Sequence, residues 1–132
     1  MAANTDPIFP KIPSLGLPKT FTSADTTTKK TIASGDTDGT RIDSIWCTSD
    51  DTALINLMFY LGISGTDYHI GNVPITISAG YLAVPKIDAM PYLSGILGFL
   101  VLPSGVDLKC ACLATMTAAK TLTVVPMGGD YS

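Results

Sequence analysis

Apolar and polar residues alternate with period two through most of this chain, and that period puts successive side chains on opposite faces of an extended strand. "TALINLMFYLG" sets Ala53, Ile55, Leu57, Phe59 and Leu61 on one face and Leu54, Asn56, Met58 and Tyr60 on the other. Both faces are largely apolar, as in a central strand covered on both sides. "GVDLKCACLAT" sets Val106, Leu108, Cys110, Cys112 and Ala114 inward, opposite Asp107, Lys109, Ala111, Leu113 and Thr115. "TLTVVPM" turns Leu122 and Val124 inward and Thr121 and Thr123 outward. Pro126, which has no amide hydrogen to give to a ladder, is expected to end that strand.

Further strands are predicted in "PKTFTSA", "KKTIAS", "RIDSIWCTS", "TDYHIGNVPITIS" and "GILGFLVL", each bounded by Gly, Pro, Asp or Ser clusters. Short strands recurring roughly every 8 to 12 residues predict an all-β class, a single antiparallel β-sandwich or jelly-roll-like domain. "IDAMPYLSGIL" leaves room for a short turn of helix. "TKKTIAS" reads as an edge strand: threonines favour extended backbone, and Lys29 and Lys30 discourage pairing with a foreign strand. The Gly- and Asp-rich "SGDTDGT" is the turn into the next strand.

The beginning of the chain breaks this pattern. Pro7, Pro10, Pro13 and Pro18 remove backbone donors and hold the chain extended, which excludes a helix or a central strand. Between them stand Ile8, Phe9, Ile12, Leu15 and Leu17. The prediction is an apolar arm over residues 1–20 leading into a sandwich domain over 21–132. The arm needs a surface to lie on, its own domain or a neighbour, and these five side chains are the candidate interaction residues.

Composition narrows the function. At 132 residues the chain fits one domain. Its charged fraction of 14% is well below the roughly 25% of an average soluble domain, while 46% is hydrophobic. Either partners cover part of the surface, or a well-packed β core lies under a Thr/Ser exterior. Eight basic residues against eleven acidic ones, with no basic stripe, leave no nucleic-acid footprint. The apolar run Tyr92 to Pro103 is shorter than the ~20 residues of a membrane helix, so no membrane partner is expected. An odd set of cysteines, Cys47, Cys110 and Cys112, without a secretory leader predicts synthesis in a reducing cytoplasm.

Candidate chemistry is sparse. Cys110 and Cys112 are separated by one residue where zinc sites use two to four, and His69 is the lone histidine. Asp36, Asp38, Asp43, Asp50 and Asp51 lack the glycine and glutamate of a calcium loop and suit turn capping instead. Asp67 and His69 share a strand face, but no nucleophile elbow or phosphate-cradling loop accompanies them. The chain is therefore expected to be non-enzymatic, with no cofactor and no metal. Trp46, between Ile45 and Cys47, is expected in the core.

Taken in order, "NTDPIFPKIPSLG", "TFTSADTTTKKTI", "GTRIDSIWCTSDDTA", "LPSGVDLK" with "TAAKTLTVV", and "GGDY" resemble a family of small structural proteins of tailed bacteriophages and prophages. The resemblance runs from near the first residue to the last and is weakest over 74–100. It implies a capsid decoration or cement protein, made in the host bacterial cytoplasm and located on the virion surface. Its implied partners are the major capsid protein and further copies of itself, with a trimer fitting three-fold sites best. The competing implication is a tail or vertex component that binds host-surface glycans through Tyr60, Tyr68, Tyr81 and Tyr92.

Overall fold

The computed structural model describes residue 10 and residues 12–94 and 98–131. Two antiparallel sheets pack face to face. The strands are β1 (Ile12–Ser14), β2 (Lys19–Phe21), β3 (Lys30–Ser34), β4 (Thr40–Ser49), β5 (Ile55–Ile63) and β6 (Thr66–Ile75). They continue with β7 (Ile87–Asp88), the short helix α1 (Met90–Ser94), β8 (Leu100–Leu102), β9 (Asp107–Cys112) and β10 (Leu122–Asp130).

β1 and β2 pair with successive stretches of one edge of β10, so they form a single interrupted strand. β7 and β8 likewise pair with successive stretches of β4. Counted this way the chain makes eight strands. One sheet runs first, eighth, third, sixth, and the other second, seventh, fourth, fifth. Successive strands cross from sheet to sheet except at the β5–β6 hairpin, and that order is the jelly roll of two Greek keys.

Between the sheets lies one continuous core, which includes Phe21, Ile32, Ile45, Leu57, Phe59, Val73, Leu108, Leu122 and Val124, all buried. Its inward faces are those expected from the alternation in β5, β9 and β10. Elsewhere bulges shift the phase, because one extra residue turns every following side chain to the opposite face. Asp43 is the extra residue where β4 crosses the Met127/Gly128 irregularity of β10. Ile45, Cys47 and Ser49 consequently point inward, and Trp46 points outward at 37% exposure. The expectation that Trp46 is core is corrected by that one residue. Lys86 Nζ lies 4.1 Å from its ring centroid. Likewise, β3 bulges at Ile32, which is why the consecutive Ile32 and Ala33 are both buried.

β10 does not stop at Pro126. The strand continues to Asp130, with Pro126 opposite Ile45 of β4. On its other side, the β1–β2 ladder is interrupted between Ser14 and Lys19, so the irregular backbone falls where the proline lies. Gly16 occupies this gap at φ +60, and a methyl group there would come within 2.7 Å of the Pro126 ring. β3 is indeed a sheet edge. Its Lys30 is tied to Asp25 at 3.0 Å and to the Thr20 carbonyl at 2.6 Å.

The boundary drawn at residue 20 falls inside β2. From Ile12 onward the proline-rich segment is the edge strand of its own sheet. Pro13 is accommodated in β1 because that strand lies on an edge.

Candidate functional site

The crossing pattern places the loops in two sets at opposite ends of the sandwich. Residues 22–29, 50–54, 76–86 and 113–121 meet at one end, hereafter the loop end. Residues 35–39, 64–65 and 103–106 meet at the other, the turn end.

Leu54, Thr76, Ile77, Val84, Pro85 and Ile87 line an apolar groove of about 560 Å³ at the loop end. Leu82, in the same loop as Ile77, is 99% exposed. This loop has neither strand nor helix periodicity, so the groove was not legible as an element. Its only advance signal was a group of apolar residues between turn formers in "ITISAGYLAVPKI".

Asp51 holds the groove's supporting loops together. It is fully buried and accepts hydrogen bonds from Ala53 N at 2.9 Å, Thr117 N at 3.0 Å and Thr117 Oγ1 at 2.7 Å. Ser78 N donates to the Asp51 carbonyl at 3.4 Å, and Ser49 N donates to the Ala79 carbonyl at 2.9 Å. Asp50 accepts from Thr121 N at 2.7 Å. Burial pushes the Asp51 pKa upward, but the bonds from Thr117, Ala53 and Thr52 outweigh it and hold the carboxyl below the usual range. The bond from Ala53 N is the local turn cap expected, while those from Thr117 and Thr121 tie separate loops together.

Of the candidate interaction residues, Ile8 and Phe9 lie outside the described residues. Ile12, Leu15 and Leu17 fall on or between β1 and β2 and are 51%, 55% and 46% exposed. Leu17 N donates to the Ile32 carbonyl at 2.7 Å, so the segment bridges from its own sheet to β3 of the other. The three apolar side chains thus line one edge of the sandwich.

A polar cluster occupies the outer face of β5, β6 and β9. Asp67 pairs with Lys109 Nζ at 3.0 Å and Lys29 Nζ at 3.2 Å, and these bonds lower its pKa. Lys29 Nζ also sits 4.2 Å from the centroid of the Tyr60 ring, and His69 meets that ring edge-on at 5.5 Å. His69 Nε2 contacts Asn72 Oδ1 at 2.9 Å. Asp67 and His69 are therefore engaged separately, and neither is paired with a nucleophile in this cluster. Tyr68, Tyr81 and Tyr92 are exposed, but the one aromatic ring pair among the described residues is Tyr60 with His69.

Cys47, Cys110 and Cys112 are free thiols buried in the core. Burial raises Cys47 to about 12 and Cys112 to about 11, and raises Cys110 well above its ordinary value. At neutral pH they are protonated, unreactive packing groups. Among the described residues no group of three or more His, Cys, Asp or Glu side chains could hold a metal ion, and no helix is long and apolar enough to cross a membrane. Comparison with protein-family models, curated proteins and solved structures gives no match, so the fold and this surface carry the functional argument.

Proposed function

We propose that this chain is a non-enzymatic virion structural protein of a tailed bacteriophage, a decoration or cement protein that binds the outer surface of the major capsid protein shell and stabilises the head. The observation that carries the reading is the combination of a jelly roll with a proline-punctuated apolar edge. Jelly rolls also serve as lectins and cupins, so the fold alone does not select a role. What favours attachment is the half-exposed row of Ile12, Leu15 and Leu17, continuous in sequence with Ile8 and Phe9. A shell that covers this row gains roughly 1.5 to 3 kcal/mol per fully buried side chain before ordering costs. The sequence resemblance points the same way.

The competing role, glycan binding at a tail or vertex, calls for an open aromatic platform. Lys29 already covers Tyr60, and the other tyrosines are not assembled into a pair among the described residues. Decoration is therefore preferred, with self-association at three-fold positions.

Quantitative mass spectrometry of purified particles tests this directly. A copy number approaching one per capsid subunit is expected. A few copies per hundred subunits would instead assign the protein to a tail or vertex, and its absence from particles would overturn the virion reading.

A further inference from the structure

We propose that the groove at the loop end receives Ile8 and Phe9 of a second copy of this chain, joining copies head to tail. The inference rests on the decoration reading and deepens it, since it assigns Ile8 and Phe9 to a second copy and leaves Ile12, Leu15 and Leu17 to the shell, yet the contact can be tested without any particle.

The first argument is reach. Ile12 pairs with Asp130 at the turn end, and Phe21 pairs with Leu122 at the loop end. Their partners on the continuous β10, Asp130 and Leu122, are eight residue steps apart, which is about 26 Å at ~3.3 Å per residue. Ile8 stands four residues before Ile12, so it lies within about 14 Å of that position even when fully extended. Ile8 and Phe9 therefore cannot enter the groove of their own chain. A second copy, placed with its turn end against this loop end, brings them there.

The second argument is complementarity. The groove lining contains one polar residue, Thr76, beside Leu54, Ile77, Val84, Pro85 and Ile87. Its volume of about 560 Å³ falls within the range of roughly 300 to 1,000 Å³ typical of sites that enclose a ligand. Ile8 and Phe9 are bracketed by Pro7 and Pro10. Such a segment favours an extended form and has few amide donors to satisfy, which suits an apolar groove that offers few acceptors. Charge agrees as well. Lys86 flanks the groove between Pro85 and Ile87 and makes no ion pair among the described residues, while Asp6 stands two residues before Ile8.

The third argument is symmetry. An arm that leaves one end and binds the opposite end of the next copy makes a heterologous contact, which closes into a ring or continues as a chain. Ring closure is the form compatible with the three-fold placement proposed above.

The experiment places the photo-crosslinking analogue p-benzoylphenylalanine at position 9 of the full chain and irradiates a mixture of nitrogen-15-labelled and unlabelled protein. Adducts to residues 76–87 that join a labelled to an unlabelled chain are expected. Adducts confined to one chain, adducts elsewhere, or none would overturn the proposal. Alongside, sedimentation of Phe9→Asp and Ile77→Asp is expected to show self-association weakened roughly tenfold or more, as removal of one large buried contact implies. Ile77 is half-exposed in the single chain, so its variant should fold normally. Unchanged assembly of both variants, or a wild-type chain that is monomeric, would overturn the proposal. Copy number on particles separates this inference from the decoration reading. A normal copy number with no inter-chain adduct leaves decoration standing and removes the contact. An inter-chain adduct with no protein on particles does the reverse.

Discussion

At the turn end, backbones approach one another without side chains between them; at the loop end, side chains are exposed without backbones to cover them. A methyl group at Gly128 would overlap the Arg41 carbonyl, and one at Gly35 would overlap that of Pro103. Ser64 and Gly65, both at positive φ, close the β5–β6 hairpin in two residues. Thr40 Oγ1 donates to Asp130 Oδ1 at 2.6 Å and accepts from Asp36 N at 3.0 Å. The turn end is thus finished within the single chain. At the loop end, Asp51 ties the loops internally while Leu54, Ile77 and Leu82 face outward. One end spends its sequence on closure. The other holds an apolar surface in a fixed shape.

If Asp51 fixes that shape, Asp51→Ala is the variant that breaks the comparison most severely. It removes the acceptor of three hydrogen bonds in a fully buried position. Bonds to a charged group and the donors left without a partner together imply a loss of about 3 kcal/mol, measured by urea unfolding. The pH dependence has a definite sign. The folded-state pKa of Asp51 is depressed, so its contribution is present above the ordinary carboxylate value of about 4 and disappears as pH falls through the lower folded value. Asp51→Asn should flatten that acid loss while costing less than the alanine. An unchanged acid limb would mean that another carboxylate governs it.

A change at the turn end should act through overlap. Gly128→Ala is expected to cost about 2 kcal/mol, in the range of other overpacked sites, because the neighbour it meets is backbone and not a flexible side chain. Thermal unfolding checks it. A neutral result would show that the β4 bulge at Asp43 can open, and that the turn end is softer than its geometry implies.

How much of this was legible beforehand depends on whether a residue's place was set locally. β5, β9 and β10 were readable because their alternation is set by burial on one face, which a sequence displays directly. The edge character of β3 was readable from Lys29 and Lys30. Trp46 was not, because its direction depends on a bulge at Asp43 that exists only through pairing with Met127 and Gly128. Pro126 was misjudged for a similar reason: the break that accommodates it lies in the partner strand, near Gly16. The apolar edge residues Ile12, Leu15 and Leu17 could be named from composition, but their pairing to the chain's own β10 could not. The groove was the least legible. Its walls come from residues 54, 76–77, 84–85 and 87, on two loops joined by the bond from Ser78 N to the Asp51 carbonyl, and no local period links them.

Thr117→Val gives a finer test of the tie. It removes the Oγ1 donor at 2.7 Å from Asp51 but keeps the backbone donor at 3.0 Å. The expected loss is about 1 to 2 kcal/mol in urea unfolding. A loss as large as that of Asp51→Ala would mean that the side-chain bond alone secures the β9–β10 loop, while no loss would shift the tie to the backbone bond.

Ile77→Asp should have the smallest effect on stability and is the most informative about why the two ends differ. Ile77 lines the groove yet is half-exposed, so a charge there remains in contact with water and the unfolding free energy should change by no more than about 0.5 kcal/mol. That near-neutrality is the distinction between a residue that maintains the fold and one that faces a partner. If the variant unfolded with a loss near that of a core truncation, roughly 2 to 5 kcal/mol, Ile77 would belong to the chain's own core. The loop end would then be as self-sufficient as the turn end. If stability holds while self-association is lost, the asymmetry between the ends is functional: the turn end completes one copy, and the loop end is completed by the next.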